Sequence, residues 1–446
     1  MCVVLSLLVK DSAPTSTPLT VAINAQIDPG HAGGIETALQ ALFAQLAVQS
    51  RDERFLLLST ARHAPELRRL TGRNQHVLDW PFPQKAQASF RRMTRRWLGL
   101  RDQAGRLAPG VDAAHWGWWH ARRLLAPAPS TARSDVLLRE QGVDVAHFPY
   151  PIRFESELPF IYEPWDLQHR HFPAFFSDAE RRWRDSMYRE GCERARIVVT
   201  ATAWTKRDLV EQYGIDPRKV AVVPRGPWAA PLMPSAADVE RVRAAYRLPE
   251  RFALYPAMAF PHKNHLRLFE ALAILRDRHG IVLPLVCTGR PYEPHAAAIA
   301  AAIARFRLGD QVRMLGLVPT DDLHALYRSA WALVFPSLFE GLGLPILEAF
   351  QYDLPVLASD ATCLPEVAGD AALLFDATRP EAIAAALLAA HRDPSILDRC
   401  RRAAPARLAR FSWPRAAATF LACYHAAAGR PLSQEQANLL EEATTT

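Results

Sequence analysis

Trp331-Ala332-Leu333-Val334-Phe335-Pro336-Ser337-Leu338-Phe339-Glu340-Gly341-Leu342-Gly343-Leu344-Pro345-Ile346-Leu347-Glu348-Ala349 reads as a strand, a loop and the start of a helix. The apolar run Trp331 to Phe335 has the length and bulk of a buried strand. Two glycines then let the backbone approach a ligand closely. Pro345 suits a first helical turn, where its missing N–H is no loss. A helix N-terminus offers unpaired N–H groups and a positive dipole end to an anion such as a phosphate. Two carboxylates frame the unit: Glu340 on the loop, and Glu348 about one turn into the helix. A carboxylate accepts hydrogen bonds from adjacent hydroxyls, as acidic residues do on a ribose. One strand–loop–helix unit therefore offers a phosphate cradle and two hydroxyl grips.

With its glycines, Pro345 and the following Pro355-Val356-Leu357-Ala358-Ser359-Asp360 strand, this stretch resembles the Glu-x7-Glu motif of retaining glycosyltransferases. These are the GT-B proteins also called group-1 (family 4-like) glycosyltransferases. The resemblance implies that Glu340 and the loop Gly341, Leu342, Gly343 and Leu344 contact the transferred sugar. It implies that Glu348 holds the nucleotide ribose. It also implies an α/β fold of GT-B architecture, with two Rossmann-like, doubly wound parallel-sheet domains facing a central cleft. The donor would sit on the C-terminal domain and the acceptor on the N-terminal one.

The composition fits that size of protein. A chain of 446 residues is too long for one core. The six cysteines are scattered singly, with no metal-ligand or redox spacing, which points to a reduced, cytoplasmic setting. No basic residue precedes the apolar start at Met1 to Val9, so it does not read as a signal peptide. No apolar run reaches the length that spans a bilayer. The net charge of +7 and pI near 9.2 suit phosphate-bearing substrates or an anionic membrane face and do not call for nucleic acid.

Residues 1–18 read as a loose tail. Thr20 to Ala25 is the first strand, followed by the Gly-rich turn Pro29-Gly30-His31-Ala32-Gly33-Gly34 and a helix with Ala38, Leu39, Leu42, Phe43 and Leu46 at helical spacing. Strand, Gly-rich turn and helix together form a phosphate-binding arrangement in many α/β proteins. Gly33 and Gly34 match the family loop that closes over the donor diphosphate. The segment 84–134 is rich in Arg and Trp. It reads either as a helix pair with a solvated basic face, or, over 90–123, as a peripheral contact with an anionic membrane surface.

The stretch Phe160-Ile161-Tyr162-Glu163-Pro164-Trp165-Asp166-Leu167-Gln168-His169 is a short strand ending in a polar cluster, where open α/β sheets put ligands. It resembles the family segment that brings a His-Asp pair near the reacting sugar. Here Trp165 stands in place of the His and Asp166 is kept; His169 is a substitute candidate. Ser177 and Glu180 spell a capping box. Pro224-Arg225-Gly226 resembles a Pro-Asn-Gly turn with Arg225 replacing Asn. The prolines that follow mark the interdomain hinge.

The second half alternates strands with helices, the signature of a parallel, doubly wound sheet. Lys263 matches the family lysine that neutralises the donor diphosphate. Met258 stands where most members carry an Arg, which leaves Arg225 and Arg290 as candidates for the second cation. Thr378 with Glu381, and Ser412, read as helix caps. The domains expected are 19–228, 229–410 and a helix 411–428 crossing back to the first, with 429–446 a frayed tail.

The reaction implied is transfer of a hexosyl group, mannosyl included, from a nucleoside diphosphate sugar co-substrate to the hydroxyl of a glycan, lipid-linked or small-molecule acceptor, with retention. Lys263, Glu340 and Asp166 are the catalytic candidates. No Asp-x-Asp occurs, and no metal or other cofactor is expected. A nucleotide-sugar epimerase on the same fold is one alternative. A non-catalytic sugar-nucleotide-binding subunit is another, favoured by Met258 and Trp165.

Overall fold

The structure is a computed structural model, and it describes residues 18–26, 34–50, 52–60, 63–69, 71–80, 131–227 and 233–446. Gly33 and the basic segment 90–123 lie outside the described residues. The N-terminal domain contains β1 (Thr20–Asn24), α1 (Gly34–Gln49), β2 (Arg54–Ser59), β3 (Gln75–Asp79), β4 (Val145–Phe148) and β5 (Phe160–Tyr162). It continues with α2 (Asp178–Arg194), β6 (Ile197–Thr200), α3 (Ala203–Tyr213) and β7 (Val220–Val222). Its seven strands lie in the order β3-β2-β1-β4-β5-β6-β7, all paired in parallel. Helices cover both faces, so β1 is buried along its length and the central strands read as unbroken apolar runs.

The C-terminal domain contains β8 (Ala253–Pro256), α4 (His265–His279), β9 (Leu285–Thr288), β10 (Val312–Met314), α5 (Thr320–Ser329) and β11 (Ala332–Phe335). After these come α6 (Leu344–Gln351), β12 (Val356–Ser359), α7 (Leu364–Ala368), β13 (Ala372–Phe375) and α8 (Pro394–Leu408). The six strands run β10-β9-β8-β11-β12-β13, again parallel. Strand order reverses between β8 and β11, and such a switch point opens a crevice at the carboxyl ends of the strands. The Lys263 loop leaves β8 and the Glu340 loop leaves β11, so the topology alone puts both side chains at one crevice.

The chain then returns to the first domain. Ser412 caps α9 (Trp413–Ala427) by accepting from the Arg415 amide. Trp413, Phe420 and Tyr424 are buried in one core with Val21, Ile23, Leu42 and Phe55. Trp413 donates its indole N–H to Pro227 O at 2.6 Å, fixing the hinge end to the helix.

Residues 429–446 are not a frayed tail. They form α10 (Gln434–Thr445), opened by a reciprocal Ser433–Gln436 capping box. Ala437 and Ala443 are buried, and Lys206 donates to Thr444 O at 2.6 Å. The tail's small apolar residues face the domain while its polar ones face water, which is why the composition alone resembled a tail. A second correction concerns Thr378. It bonds Asp376 instead of capping, and the helix Pro380–Arg392 has no side-chain cap.

Candidate functional site

The site grows from the two loops at the β8/β11 switch point. After β8 the chain makes a 3-10 turn, Pro261–Lys263, and then Asn264 adopts left-handed φ of 62°. Asn264 is buried. Its side-chain amide donates to Pro336 O at 3.0 Å and Ala377 O at 2.8 Å. Leu338 N donates to His262 O at 2.8 Å. The lysine turn and the glutamate loop are thus bonded into one unit before any ligand is present.

Within that unit Lys263 Nζ lies 2.5 Å from Glu340 Oε1, and the two side chains are 17% and 12% exposed. The Ser337 hydroxyl donates to the same oxygen at 2.5 Å. Thr362 and the Cys363 thiol hold the Glu340 carbonyl at 3.2 and 3.1 Å. The loop ends at Gly343, with φ of 78° and a side chain of Leu364 only 2.6 Å from where a Cβ would stand. α6 begins there with no side-chain cap. In its first turn Pro345 has no N–H and the Ile346 amide donates to Gly343 O at 3.0 Å, which leaves the Leu344 amide and the positive end of the helix to suit a phosphate.

Glu348 is nearly buried on α6. It accepts a hydrogen bond from the Tyr327 hydroxyl of α5. Burial pushes its carboxyl up to about 7, and the Tyr327 bond pulls in the other direction.

The N-terminal domain closes directly on this loop. A Cβ on Gly341 would stand 2.6 Å from Trp165 O and 3.4 Å from the Asp166 side chain. The Thr202 hydroxyl donates to Gly341 O at 3.2 Å. Phe339 is set among the rings of His171, Phe172 and Trp204, with centroids 5.0, 5.9 and 5.5 Å away. Glu366 of α7 accepts from the amides of Ala203 and Trp204 at 2.7 and 2.8 Å, so a carboxylate of one domain caps α3 of the other. Asp166 thus faces the Lys263–Glu340 pair across the closed cleft. Burial raises its pKa, opposed by the Gln168 amide. Trp165 has a positive φ of 69°. Such a backbone, costly for a bulky residue, persists where the surroundings over-determine it. Here its indole donates to Pro149 O at 2.7 Å.

Two of the sequence candidates are corrected. Arg225 is buried, ion-paired to Glu163 and stacked over Trp165 with its guanidinium 4.9 Å from the ring. Glu163 also bonds His147 at 2.8 Å, and His147 bonds Tyr424 at 2.8 Å. Arg225 is therefore engaged inside the N-terminal domain and is not the second diphosphate cation. His169 is buried against Tyr188 and within 3.2 Å of the Tyr213 hydroxyl. Burial holds its imidazole down at about 4, and its ring is engaged with Tyr213 and Tyr188 inside the N-terminal domain and not on the cleft. Arg290 follows Gly289, whose φ is 121°, and its carbonyl accepts from Ala259 N at 3.3 Å. The segment carrying Arg290 therefore lies beside the Met258 segment. Gly34 is the first residue of α1.

Sequence reasoning missed several participants. Arg184 bonds Glu180 at 2.9 Å, an i,i+4 pair that reads as a solvated helix face. Yet its charge acts on Asp166 and His262. Ser337 was hidden between Pro336 and Leu338, and Tyr327 lies on a helix with no motif of its own. Glu366 gave no signal, because its partners are backbone amides of the other domain.

Fold and site define a glycosyltransferase of the GT-B architecture. Residues 238–407 match the family model of the group 1 glycosyl transferases, and residues 32–226 match that of glycosyltransferase family 4; the chain belongs to the group-1 glycosyltransferases. It is 28% identical over 298 residues to O-antigen chain mannosyltransferase B of Escherichia coli, covering 66% of this chain and 76% of that protein. It is 30% identical over 224 residues to the serotype-specific mannosyltransferase WbdA of E. coli, covering 50% of this chain and only 28% of that larger protein. Among solved structures it resembles a glycosyltransferase from Rickettsia africae, with TM-score 0.65, 15% identity, and 92% and 98% of the two chains covered. Anabaena Alr3699/HepE, solved in complex with UDP and glucose, gives TM-score 0.64 at 16% identity, with 90% and 98% covered. These two likenesses concern the fold.

Proposed function

We propose that this protein transfers a hexosyl group, with mannosyl the first candidate, from a nucleoside diphosphate sugar to an acceptor hydroxyl with retention, in polysaccharide or glycolipid assembly. The observation that carries the reading is the Lys263–Glu340 pair at the uncapped start of α6. Lys263 and the helix N-terminus take the donor diphosphate and stabilise the charge that grows on it as the glycosidic bond breaks. Glu340 and the amides of Gly341 to Leu344 hold the sugar. Glu348 takes the ribose hydroxyls. Asp166 approaches the reacting sugar from the acceptor side. The mannosyltransferase relatives support the choice of sugar. The Arg- and Trp-rich composition of 90–123 supports an acceptor near an anionic membrane.

Met258 and the strained Trp165 favour a second reading, a non-catalytic sugar-nucleotide-binding subunit. A panel of GDP-mannose, UDP-glucose and ADP-glucose, assayed with and without oligomannoside acceptors, separates the readings. Acceptor-dependent product supports transfer. Conversion of donor without acceptor supports an epimerase, and binding without turnover supports the subunit. The absence of Asp-x-Asp predicts that transfer persists in EDTA; loss of activity restored by manganese or magnesium refutes that part.

A further inference from the structure

Tyr327 belongs to a helix that carries none of the motif residues, yet its hydroxyl ends on one of them. It is fully buried on α5, donates to Glu348 Oε2, and stacks on Tyr352 with centroids 5.6 Å apart and planes at 14°. Tyr352 in turn bonds His324 Nδ1, so the ring that supports Tyr327 is itself held. Among the described residues, the hydrogen bond to the Glu348 carboxylate is that of Tyr327, and it uses Oε2.

We propose that Tyr327 is a positioning residue for the donor, orienting Glu348 and keeping it ionised so that its other oxygen accepts from a vicinal diol. The inference rests on the ribose role given to Glu348 above.

The physical argument is one of competition. A carboxyl taken out of water prefers its neutral form. A neutral carboxyl has lost acceptor capacity and the charge that makes such bonds strong. Burial accordingly raises Glu348 to about 7, and the phenol bond is the one interaction found to oppose it. Two charged groups on the elements packed around it are engaged elsewhere. Arg401 of α8 bonds Asp398 and Asp353 O. Glu366 of α7 binds the amides of α3. Tyr352 lies near Glu348 too; burial, and then the carboxylate, push its pKa well up, so it stays neutral at working pH, and the His324 ring beyond it is engaged with its hydroxyl. No described cation is found to act on Glu348. The hydroxyl is therefore the local device that favours the carboxylate.

Calorimetric titration with GDP and UDP between pH 6 and 9 tests this. In the wild type, nucleotide affinity rises with pH through about 7, because the ionised form binds the diol. Tyr327→Phe removes only the donor, so the rise moves to higher pH. A midpoint of about 8 lowers the ionised fraction at pH 7 from roughly a half to roughly a tenth, about fivefold in affinity, with recovery by pH 9. A packing defect would instead weaken binding equally at every pH. Glu348→Gln serves as the second variant; its affinity should be flat over this range. Wild-type pH dependence in Tyr327→Phe, with binding lost in Glu348→Ala, overturns the Tyr327 inference alone. Unchanged affinity in Glu348→Ala overturns the ribose reading itself. A wild-type profile in Glu348→Gln assigns the pH dependence to another group and overturns the inference.

Discussion

Lys263→Ala should separate catalysis from binding. In the free protein the ammonium is already paired with Glu340 at 2.5 Å. Moving it to a donor diphosphate exchanges one ion pair for another, so the net ground-state gain is small. The transition state differs, because the leaving diphosphate acquires about one further negative charge. At about 4 Å and an effective dielectric near 20, a unit charge pair is worth about 4 kcal/mol. Glu340 beside the ammonium offsets part of that, leaving about 3 kcal/mol, or about a hundredfold in rate. The assay is single-turnover transfer at saturating donor, alongside donor affinity by calorimetry. The rate should fall by about a hundredfold or more, and affinity by much less. Met258→Arg in the Lys263→Ala background should recover part of the rate, since Met258 lies on the same β8 loop. A wild-type rate at saturating donor, with only a higher donor requirement, would show that Lys263 is a ground-state binding group, and the reasoning fails.

Gly341→Ala adds a Cβ that must stand 2.6 Å from the Trp165 carbonyl, a backbone atom of the other domain. Transfer should drop by about a hundredfold from misplacement of the cleft walls, while the melting temperature changes little; activity near wild type would show that the closed contact is not used. Arg225→Met leaves Glu163 buried beside His147 without its cation. Thermal and denaturant unfolding should report a loss of about 3–5 kcal/mol; an unchanged melting temperature with a selective loss of donor affinity would instead return Arg225 to the diphosphate.

What the sequence made legible follows periodicity and local motif. The parallel sheets were readable because strands buried on both faces are apolar throughout, as in β11. The site on the C-terminal domain was readable because its residues lie in two short loops on adjacent strands. Contacts that join distant segments were not. Arg225 looked like a loop cation, and only the fold reveals Glu163 and the Tyr424 that ends the same network. The sequence singles out His169, with His171 two residues on. The structure buries the first against Tyr188 and leaves the second, bonded to Asp208 at 2.7 Å, against Phe339 of the motif loop. The helix at 434–445 was missed because its buried face is alanine, which carries little hydrophobic signal.

The return of α9 has a consequence for biosynthesis. Strands β1 to β7 leave the ribosome first, but the core they enclose contains Phe420 and Tyr424, made only after the whole C-terminal domain. The later-made domain can bury its own core as soon as it emerges, since its cluster draws on residues 242–411. The earlier one must wait, with the apolar surface around Leu42 and Phe55 uncovered. Such waiting intermediates aggregate or recruit chaperones. A stop codon just before Trp413 would therefore harm the end of the molecule farthest from it: limited proteolysis of that truncated product should cut within 19–227 and spare 250–410.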